Sequence, residues 1–340
     1  MAKPKRINIA LQGGGAHGAF TWGVLDRLLD CDEIEIAGIS GTSAGALNGA
    51  ALKAGLVAGG REAARDNLRW LWSEVVGLRD LKIARWISPF APETEVISRA
   101  IQYSPAYAFS DYVSRVTSPY SFGPFYRNPL ERLVEKFHYD EVCGAEGPEF
   151  YVGATNVRSG KIRIFTGAEI TPDALMASAC LPSLFKAVEI DGEAYWDGGY
   201  TGNPALFPLF EPHLPADIVI VNINPLYRAD LPITPQEIQN RINEISFNSS
   251  LLRELRAIRF VQRLIEENKV QPEAMSYVLV HMIADDDLMG DLSVATKLTP
   301  TAIVVDRLFE AGRHAGQRFL DSHLGDIGKR SSLDLKAMYD

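Results

Sequence analysis

The sequence has few cysteines, few histidines and no excess of positive charge, and each shortage excludes a class of protein. Its 340 residues include three cysteines and six histidines. Cys31, Cys143 and Cys180 are odd in number and lack metal-ligand spacing, so we expect reduced core thiols rather than a disulfide framework or a metal site. The formal net charge of -9 argues against a nucleic-acid partner and against strong attraction to an anionic membrane.

Long apolar runs of the kind that direct or anchor a protein to a membrane are also missing. The basic start, Met1 to Arg6, is followed by glycines before a signal-peptide core can form. No run of about 20 apolar residues is present, as a membrane-spanning helix would need. Together with the cysteine usage, these features predict a cytoplasmic protein.

What the sequence does have is a regular alternation of strand and helix patterns. Strands are predicted at 7–11 and 34–39, and helices at 19–29, 44–54 and 61–73. This alternation favours an α/β fold with a mainly parallel sheet covered by helices. Hydrophobic residues make up 46% of the chain, which is enough for a sizeable core.

Ser43 lies at the predicted turn from the second strand into its helix, within Gly41-Thr42-Ser43-Ala44-Gly45. Gly-x-Ser-x-Gly on such a turn is typical of serine hydrolases, because the small flanking residues let a strained serine project from the sheet. Gly41 and Gly45 would then form the nucleophile elbow. The pentapeptide alone fits an ordinary glycine-serine turn equally well.

A glycine loop, Gly13-Gly14-Gly15-Ala16-His17-Gly18, follows the first strand and allows two interpretations. It matches the Gly-x-Gly-x-x-Gly pattern of dinucleotide-binding oxidoreductases, but that fold needs an acidic residue at the end of the second strand. The second strand ends in Ser43 and its neighbours instead. We therefore favour an oxyanion hole, built from the backbone amides of Gly13, Gly14, Gly15 and Ala16.

Asp197 is the clearest candidate for the base that would activate the serine. It ends an apolar strand and is followed by Gly198 and Gly199. Burial beside Ser43 would raise the pKa of this carboxyl group, whereas a hydrogen bond from the serine hydroxyl would lower it, and the sequence leaves the balance open. An Asp-Gly turn between two strands is the alternative.

A Ser-His-Asp triad would need a suitably placed histidine, and the sequence offers one weak candidate. His281 follows a strand pattern and has the chain order of an α/β-hydrolase triad. His138, His314 and His323 have the setting of surface or core residues.

The three motifs, taken in order, resemble the patatin-like phospholipases. The resemblance extends from about Ile7 to Pro208 and includes 150–157 and 177–182. It implies a three-layer α/β fold in which residues 1–210 form a patatin-like catalytic domain. Residues 211–340 would add a strand and helices that complete or flank the same domain, as a helical C-terminal extension.

The same resemblance implies a chemistry. Ser43 would be the nucleophile and Asp197 the base of a Ser-Asp dyad that hydrolyses acyl esters without histidine, metal or cofactor. The expected function is lipid degradation of the phospholipase A or lysophospholipase type. At His17 the chain departs from the family pattern, which usually has arginine or lysine there, so a fixed positive charge beside the oxyanion is in doubt.

Several alternatives remain open for the substrate and the partners. Intracellular polyesters such as polyhydroxybutyrate, or acyl transfer to another alcohol, would suit the same dyad, and a non-catalytic lipid-binding protein is a third interpretation. The proline- and aromatic-rich segment 86–129 fits either a lid over an acyl-chain groove or packing against the core. The amphipathic helix predicted at 238–268 fits packing onto the sheet, a homodimer surface or a peripheral membrane contact.

Overall fold

The structure is a computed structural model that describes residues 3–77, 88, 91–271 and 275–340. The segment considered as a lid is therefore described only in part, since residues 86, 87, 89 and 90 and the side chains of Phe122 and Phe125 lie outside the described residues. Within that segment, two helices and a short 3-10 turn follow one another.

In the described part of the chain, eight strands form one sheet. They are β1 (Lys5–Leu11), β2 (Ile34–Thr42), β3 (Glu149–Asn156), β4 (Ile162–Thr166), β5 (Val188–Ile190), β6 (Glu193–Asp197), β7 (Asp217–Val221) and β8 (Leu279–Ile283). Their order is β5-β6-β3-β2-β1-β7-β8, with β4 paired to β3. The pairs among β1, β2, β3, β7 and β8 are parallel, and β4, β5 and β6 add antiparallel pairs at one side.

Helices flank this sheet and connect its parallel strands, which confirms the predicted α/β fold. They are α1 (Gly18–Leu29), α2 (Ala44–Val76), α3 (Thr94–Gln102), α4 (Pro105–Val116), α5 (Glu131–Val134), α6 (Tyr139–Cys143), α7 (Pro172–Ser178), α8 (Pro235–Glu266), α9 (Asp286–Gly290), α10 (Val294–Leu298), α11 (Ala302–His323) and α12 (Leu335–Tyr339).

The two faces of the sheet carry two separate hydrophobic cores. In β7, Val219 and Val221 belong to the core under α1, α2 and α11, whereas Ile218 and Ile220 face the core under α8. This alternation follows from the two-residue side-chain period of a strand. Buried α8 residues such as Leu251 and Leu255 cover the second face, so the long amphipathic helix packs onto the sheet.

Residues after 210 contribute to the same sheet as those before it. β7 pairs with β1 in parallel, and β8 pairs with β7. The third layer, α8, also comes from this part of the chain. The two segments of the sequence therefore share one sheet.

The helix after Ser43 is longer than the sequence pattern predicts. Helical hydrogen bonding continues from Ala44 to Val76, but the backbone breaks at Gly59 and Gly60, where Gly60 has φ 75. The break separates the two helices predicted at 44–54 and 61–73. In the described part of the chain, no helix has a stretch that is long and apolar enough to cross a membrane.

A buried carboxylate ties the three helices of one face together. Asp26 on α1 is 3% exposed and accepts a hydrogen bond from Arg65 of α2 at 2.8 Å, and it also pairs with Arg313 of α11. The nearby Asp30 pairs with the same two arginines. Because α11 lies in the C-terminal segment, this cluster joins that segment to the helix that follows the glycine loop.

Replacing Asp26 by asparagine is expected to lower the free energy of unfolding by about 2 kcal/mol, because two partly buried guanidinium groups lose a charged acceptor. Urea unfolding followed by circular dichroism measures this loss. Asp66→Asn is the matched control, since Asp66 and Arg69 form an exposed pair that contributes under about 0.5 kcal/mol. Equal stability of the two variants would contradict a structural role for the cluster.

Candidate active site

The glycine loop and the Ser43 turn leave the sheet side by side. β1 and β2 are parallel, with Leu11 opposite Gly41, so the segments that follow both strands emerge at the same edge. This edge, at the carboxyl ends of the strands, is where open α/β sheets place their ligand sites. The sheet thus brings the two motifs together.

Ser43 has a strained backbone that the surrounding structure holds in place. Its φ of 54 and ψ of -123 lie in a region that residues other than glycine rarely adopt. The Ser43 N–H donates to Ser178 Oγ at 2.9 Å, and the Ser178 hydroxyl donates to the Gly153 carbonyl at 2.7 Å. Ser178 therefore fixes the turn, a role that its sequence context did not indicate.

The glycines flanking Ser43 are required by close backbone contact. A Cβ at Gly45 would collide with the Leu11 carbonyl, and one at Gly41 would lie 2.7 Å from the carbonyl oxygen of Gly45. Both contacts are too short for a side chain. The tight strand-to-helix turn expected of a nucleophile elbow is therefore present at 41–45.

Asp197 reaches this turn from an antiparallel strand. It ends β6, where it pairs with Ala154 of β3, next to Gly153, which pairs with Thr42. Gly198 then packs so closely on β3 that a Cβ there would collide with the Gly153 carbonyl. The Gly199 N–H donates to Asp197 Oδ1 at 2.7 Å, which orients the carboxyl group.

The environment of Asp197 shows whether its pKa is raised or lowered, a question that the sequence left open. The side chain is fully buried, and this burial raises the pKa of Asp197 from 3.8 to about 7, against the lowering effects of the Gly199 N–H and of the Ser43 hydroxyl. Among the described residues, no donor, the Ser43 hydroxyl included, meets hydrogen-bond geometry with Oδ2. One carboxylate oxygen is thus oriented by the backbone, and the other is free to accept a proton near neutral pH.

The glycine loop presents three amides to the cavity beside Ser43. Gly14, Gly15 and Ala16 line this cavity, and within the described part of the chain no acceptor takes their amide hydrogens. Gly13 does not belong with them, because its N–H already donates to Asn203 Oδ1 at 2.6 Å. Of the four amides expected to bind an oxyanion, that of Gly13 is therefore occupied by a side-chain acceptor.

A network of buried side-chain amides supports the loop from below. Gln12 Oε1 accepts from the N–H groups of Ile223 and Asn224, and Gln12 Nε2 donates to Asn248 Oδ1 at 3.0 Å. Asn203 Nδ2 donates to the carbonyls of Gly13 and Phe247. Each partner outside the loop lies at or beyond residue 203, so no local pattern around the loop could have revealed this support.

The cavity beside Ser43 and Asp197 has a volume of about 430 Å³ and a mainly apolar wall. Such a wall suits a hydrocarbon chain, whose burial contributes roughly 0.8 kcal/mol per methylene. Its polar side chains are few, namely Ser43, Glu74, Asp197, Asn243 and Lys297. The apolar lining includes Leu47, Leu71, Trp72, Leu133, Leu184 and Phe247.

His281 has partners of its own away from Ser43. It lies within β8, is fully buried, and its two ring nitrogens are 3.0 Å from Asp217 Oδ1 and 3.0 Å from Ser332 Oγ. Asp217 also accepts from the Gly328 N–H. This cluster holds the C-terminal tail against the sheet. His281, the histidine considered for a triad, therefore has a structural role.

Cys180 is a second candidate nucleophile close enough to Asp197 to feel its charge. Its thiol is buried, and this burial, with a smaller contribution from the charge of Asp197, raises the pKa of Cys180 to about 12. A thiol with that pKa stays protonated at neutral pH and is a poor nucleophile. The cysteine belongs to the core, as expected.

A model of the patatin-like phospholipase family matches residues 9–210, which is more than half of the chain. The chain belongs to the patatin-like phospholipase family. Membership confirms the resemblance seen in the three motifs, and it supports lipid hydrolase activity. It also argues against the dinucleotide-binding alternative for the glycine loop. A search of curated proteins returned no match by sequence.

Solved structures of bacterial proteins are similar to the chain at low sequence identity. VipD from Legionella pneumophila is 14% identical, with a TM-score of 0.44, over 94% of this chain and 67% of that chain. A structure of ExoU with SpcU from the type III secretion system of Pseudomonas aeruginosa is 13% identical, with a TM-score of 0.30, over 94% of this chain and 54% of that chain. A second ExoU–SpcU structure is 16% identical, with a TM-score of 0.29, over 94% of this chain and 72% of that chain. The chain thus spans about half to three quarters of these proteins.

Asp197→Asn is expected to raise the free energy of unfolding at pH 8 by about 2 kcal/mol. The folded-state pKa of about 7 lies above the ordinary value of 3.8, so the native state keeps a proton that the unfolded chain releases. The contribution of Asp197 to stability therefore falls as pH rises from about 4 to about 7, and stays low above that range.

Urea unfolding of both proteins at pH 5 and pH 8 tests this expectation. The gain from the substitution should be larger at pH 8. If Asp197→Asn were less stable than the wild type at pH 8, burial of the ionised carboxylate would not be destabilising, which would contradict this expectation.

Proposed function

We propose that this protein is a serine acyl-ester hydrolase of lipid substrates in which Ser43 and Asp197 form a catalytic dyad. The observation that carries the proposal is the carboxyl group of Asp197, which is fully buried next to a strained serine and has a pKa raised to about 7. A base of that pKa is half ionised at neutral pH. It therefore combines a high proton affinity with a large fraction of molecules in the ionised form that can accept a proton.

In the proposed reaction, Ser43 Oγ attacks the ester carbonyl carbon while its proton passes to the free Oδ2 of Asp197. The carbonyl oxygen becomes an oxyanion, which accepts hydrogen bonds from the amides of Gly14, Gly15 and Ala16. When the tetrahedral intermediate collapses, the C–O bond breaks and Asp197 returns its proton to the leaving alcohol. Water, deprotonated by Asp197, then hydrolyses the acyl-enzyme and regenerates Ser43.

The apolar wall of the cavity supports a fatty-acyl ester as the substrate. Leucine and aromatic side chains line the space that the acyl chain would occupy, and family membership points to phospholipids or lysophospholipids. We also propose that residues 211–340 complete the catalytic domain of residues 1–210, since they supply strands to its sheet and side chains to the cavity.

Activity should depend on pH through the ionisation of Asp197. We expect kcat/KM for an uncharged soluble ester such as p-nitrophenyl butyrate to fall about tenfold per unit below pH 7, because the protonated carboxyl group cannot accept the serine proton. A stopped assay from pH 5 to pH 9 measures the profile. A midpoint near 4, the ordinary value for aspartate, would contradict the raised pKa.

Ser43→Ala and Asp197→Asn should each lower kcat on that ester by at least about a thousandfold, because each removes an essential member of one unit. Ser322→Ala, which removes an exposed hydroxyl from α11, is the matched control and should keep wild-type activity. Circular dichroism confirms that each variant is folded. Ester turnover that survives in Ser43→Ala would overturn the proposed nucleophile.

A further inference from the structure

Lys297 is one of the few polar residues in the wall of the cavity that holds Ser43 and Asp197. It lies on α10, far outside the residues that match the family, and it lines the cavity together with Gly14 and Gly15. The family match therefore assigns it no role. Its side chain is half-buried, and its ammonium lies near Phe247, a residue of the mainly apolar cavity wall.

Among the residues that the structure describes, the hydrogen-bond partners of the Lys297 ammonium are neutral. Nζ donates to Asn224 Oδ1 at 2.7 Å and to Asn243 Oδ1 at 3.2 Å, and it lies 5.9 Å from the centre of the Phe247 ring. An ammonium group has three hydrogens to donate. Within the described part of the chain, neither a carboxylate nor a third acceptor pairs with this group, so one donor and a full positive charge remain for a ligand.

The charged groups around Lys297 do not cancel its charge. Glu244, the carboxylate whose charge raises the pKa of Lys297, is held by two arginines, Arg228 at 2.5 Å and Arg241 at 3.1 Å. Burial lowers the pKa of Lys297 to about 8, with Glu244 raising it and Arg228 lowering it. The side chain therefore remains mostly protonated at pH 7.

His17 cannot provide this charge itself. The Thr296 hydroxyl donates its one proton to the Ser293 carbonyl at 2.7 Å, so it must accept from His17 Nε2 at 2.8 Å. Burial, and then the charge of Lys297, lower the pKa of His17 well below 6.5, which leaves a neutral ring that is protonated on Nε2. The glycine-loop residue that departs from the family pattern thus anchors the residue next to Lys297.

Two further contacts hold Lys297 against the glycine loop. A Cβ at Gly15, where φ is 57, would collide with the Lys297 carbonyl. Asn224, which accepts from the ammonium, donates through Nδ2 to the Gly13 carbonyl at 2.9 Å. The positive charge is therefore placed by the same loop that presents the three free amides.

We propose that Lys297 is a substrate-binding residue whose ammonium pairs with the phosphate of a phosphate-bearing ester lipid while the acyl carbonyl lies at Ser43. This inference rests on the proposed function. In a glycerophospholipid the phosphate and the ester share one glycerol unit, so both groups can enter a single cavity. A partly desolvated ammonium favours such an anion and gives an uncharged ester no comparable contact.

The test compares two substrates that differ only in the headgroup, dihexanoyl phosphatidylglycerol and dihexanoylglycerol. We expect the ratio of their kcat/KM values to fall about tenfold or more in Lys297→Met, as for loss of a charge-assisted hydrogen bond. Lys329→Met removes an exposed lysine of the C-terminal tail and should keep the wild-type ratio. In the wild type, the ratio should also decline as pH rises through about 8, whereas Lys297→Arg should retain it there.

The outcomes separate this proposal from the one on which it rests. An unchanged ratio in a folded Lys297→Met protein, or an equal loss on both substrates, would overturn phosphate binding and leave Lys297 a structural role. Activity of Ser43→Ala on either substrate would instead overturn the proposed hydrolase. A wild-type ratio that does not change between pH 7 and pH 9 would also count against the ammonium.

Discussion

The site depends on a glycine backbone at residues 13–15, which lies in a space too narrow for side chains. Residues 13–15 run between the Ser43 turn and the C-terminal segment, and a Cβ at Gly13 would lie 2.7 Å from the Ser43 Cβ, whereas one at Gly15 would meet the Lys297 carbonyl. This contact places free amides beside the serine. It also makes the geometry of the site depend on residues much later in the chain, because Asn203, Asn224 and Thr296 hold the loop.

A second constraint is the burial of Asp197 without a cation to pair with it among the described residues. The sheet supplies the position, since β6 ends beside the Ser43 turn, and the Gly199 N–H orients one carboxylate oxygen. Desolvation outweighs that hydrogen bond and raises the pKa to about 7. A carboxyl group with the proton affinity usual for an imidazole explains how a serine could be activated where His281 is committed to Asp217 and Ser332.

The local motifs were predictable from the sequence because the backbone conformation of each depends mainly on its own residues. The strand-to-helix turn at Ser43, the glycine loop and the Asp197 turn all appear where expected, as do the first two strands and the α/β fold. The family assignment followed from the same residues. What the sequence could not show were long-range contacts, such as the bond from the Ser43 amide to Ser178 and the engagement of the Gly13 amide by Asn203. The pKa of Asp197 also depends on burial, which no short segment specifies, and Lys297 lies outside every motif.

Reaction of the wild-type protein with a fluorophosphonate, followed by peptide mapping in a mass spectrometer, tests the central claim most directly. Such reagents phosphonylate an activated serine and ignore ordinary hydroxyl groups. The account predicts a single adduct on the peptide that contains Ser43, formed more slowly as pH falls below 7 and strongly reduced in Asp197→Asn. An adduct on another serine, or no adduct on a folded protein, would contradict it.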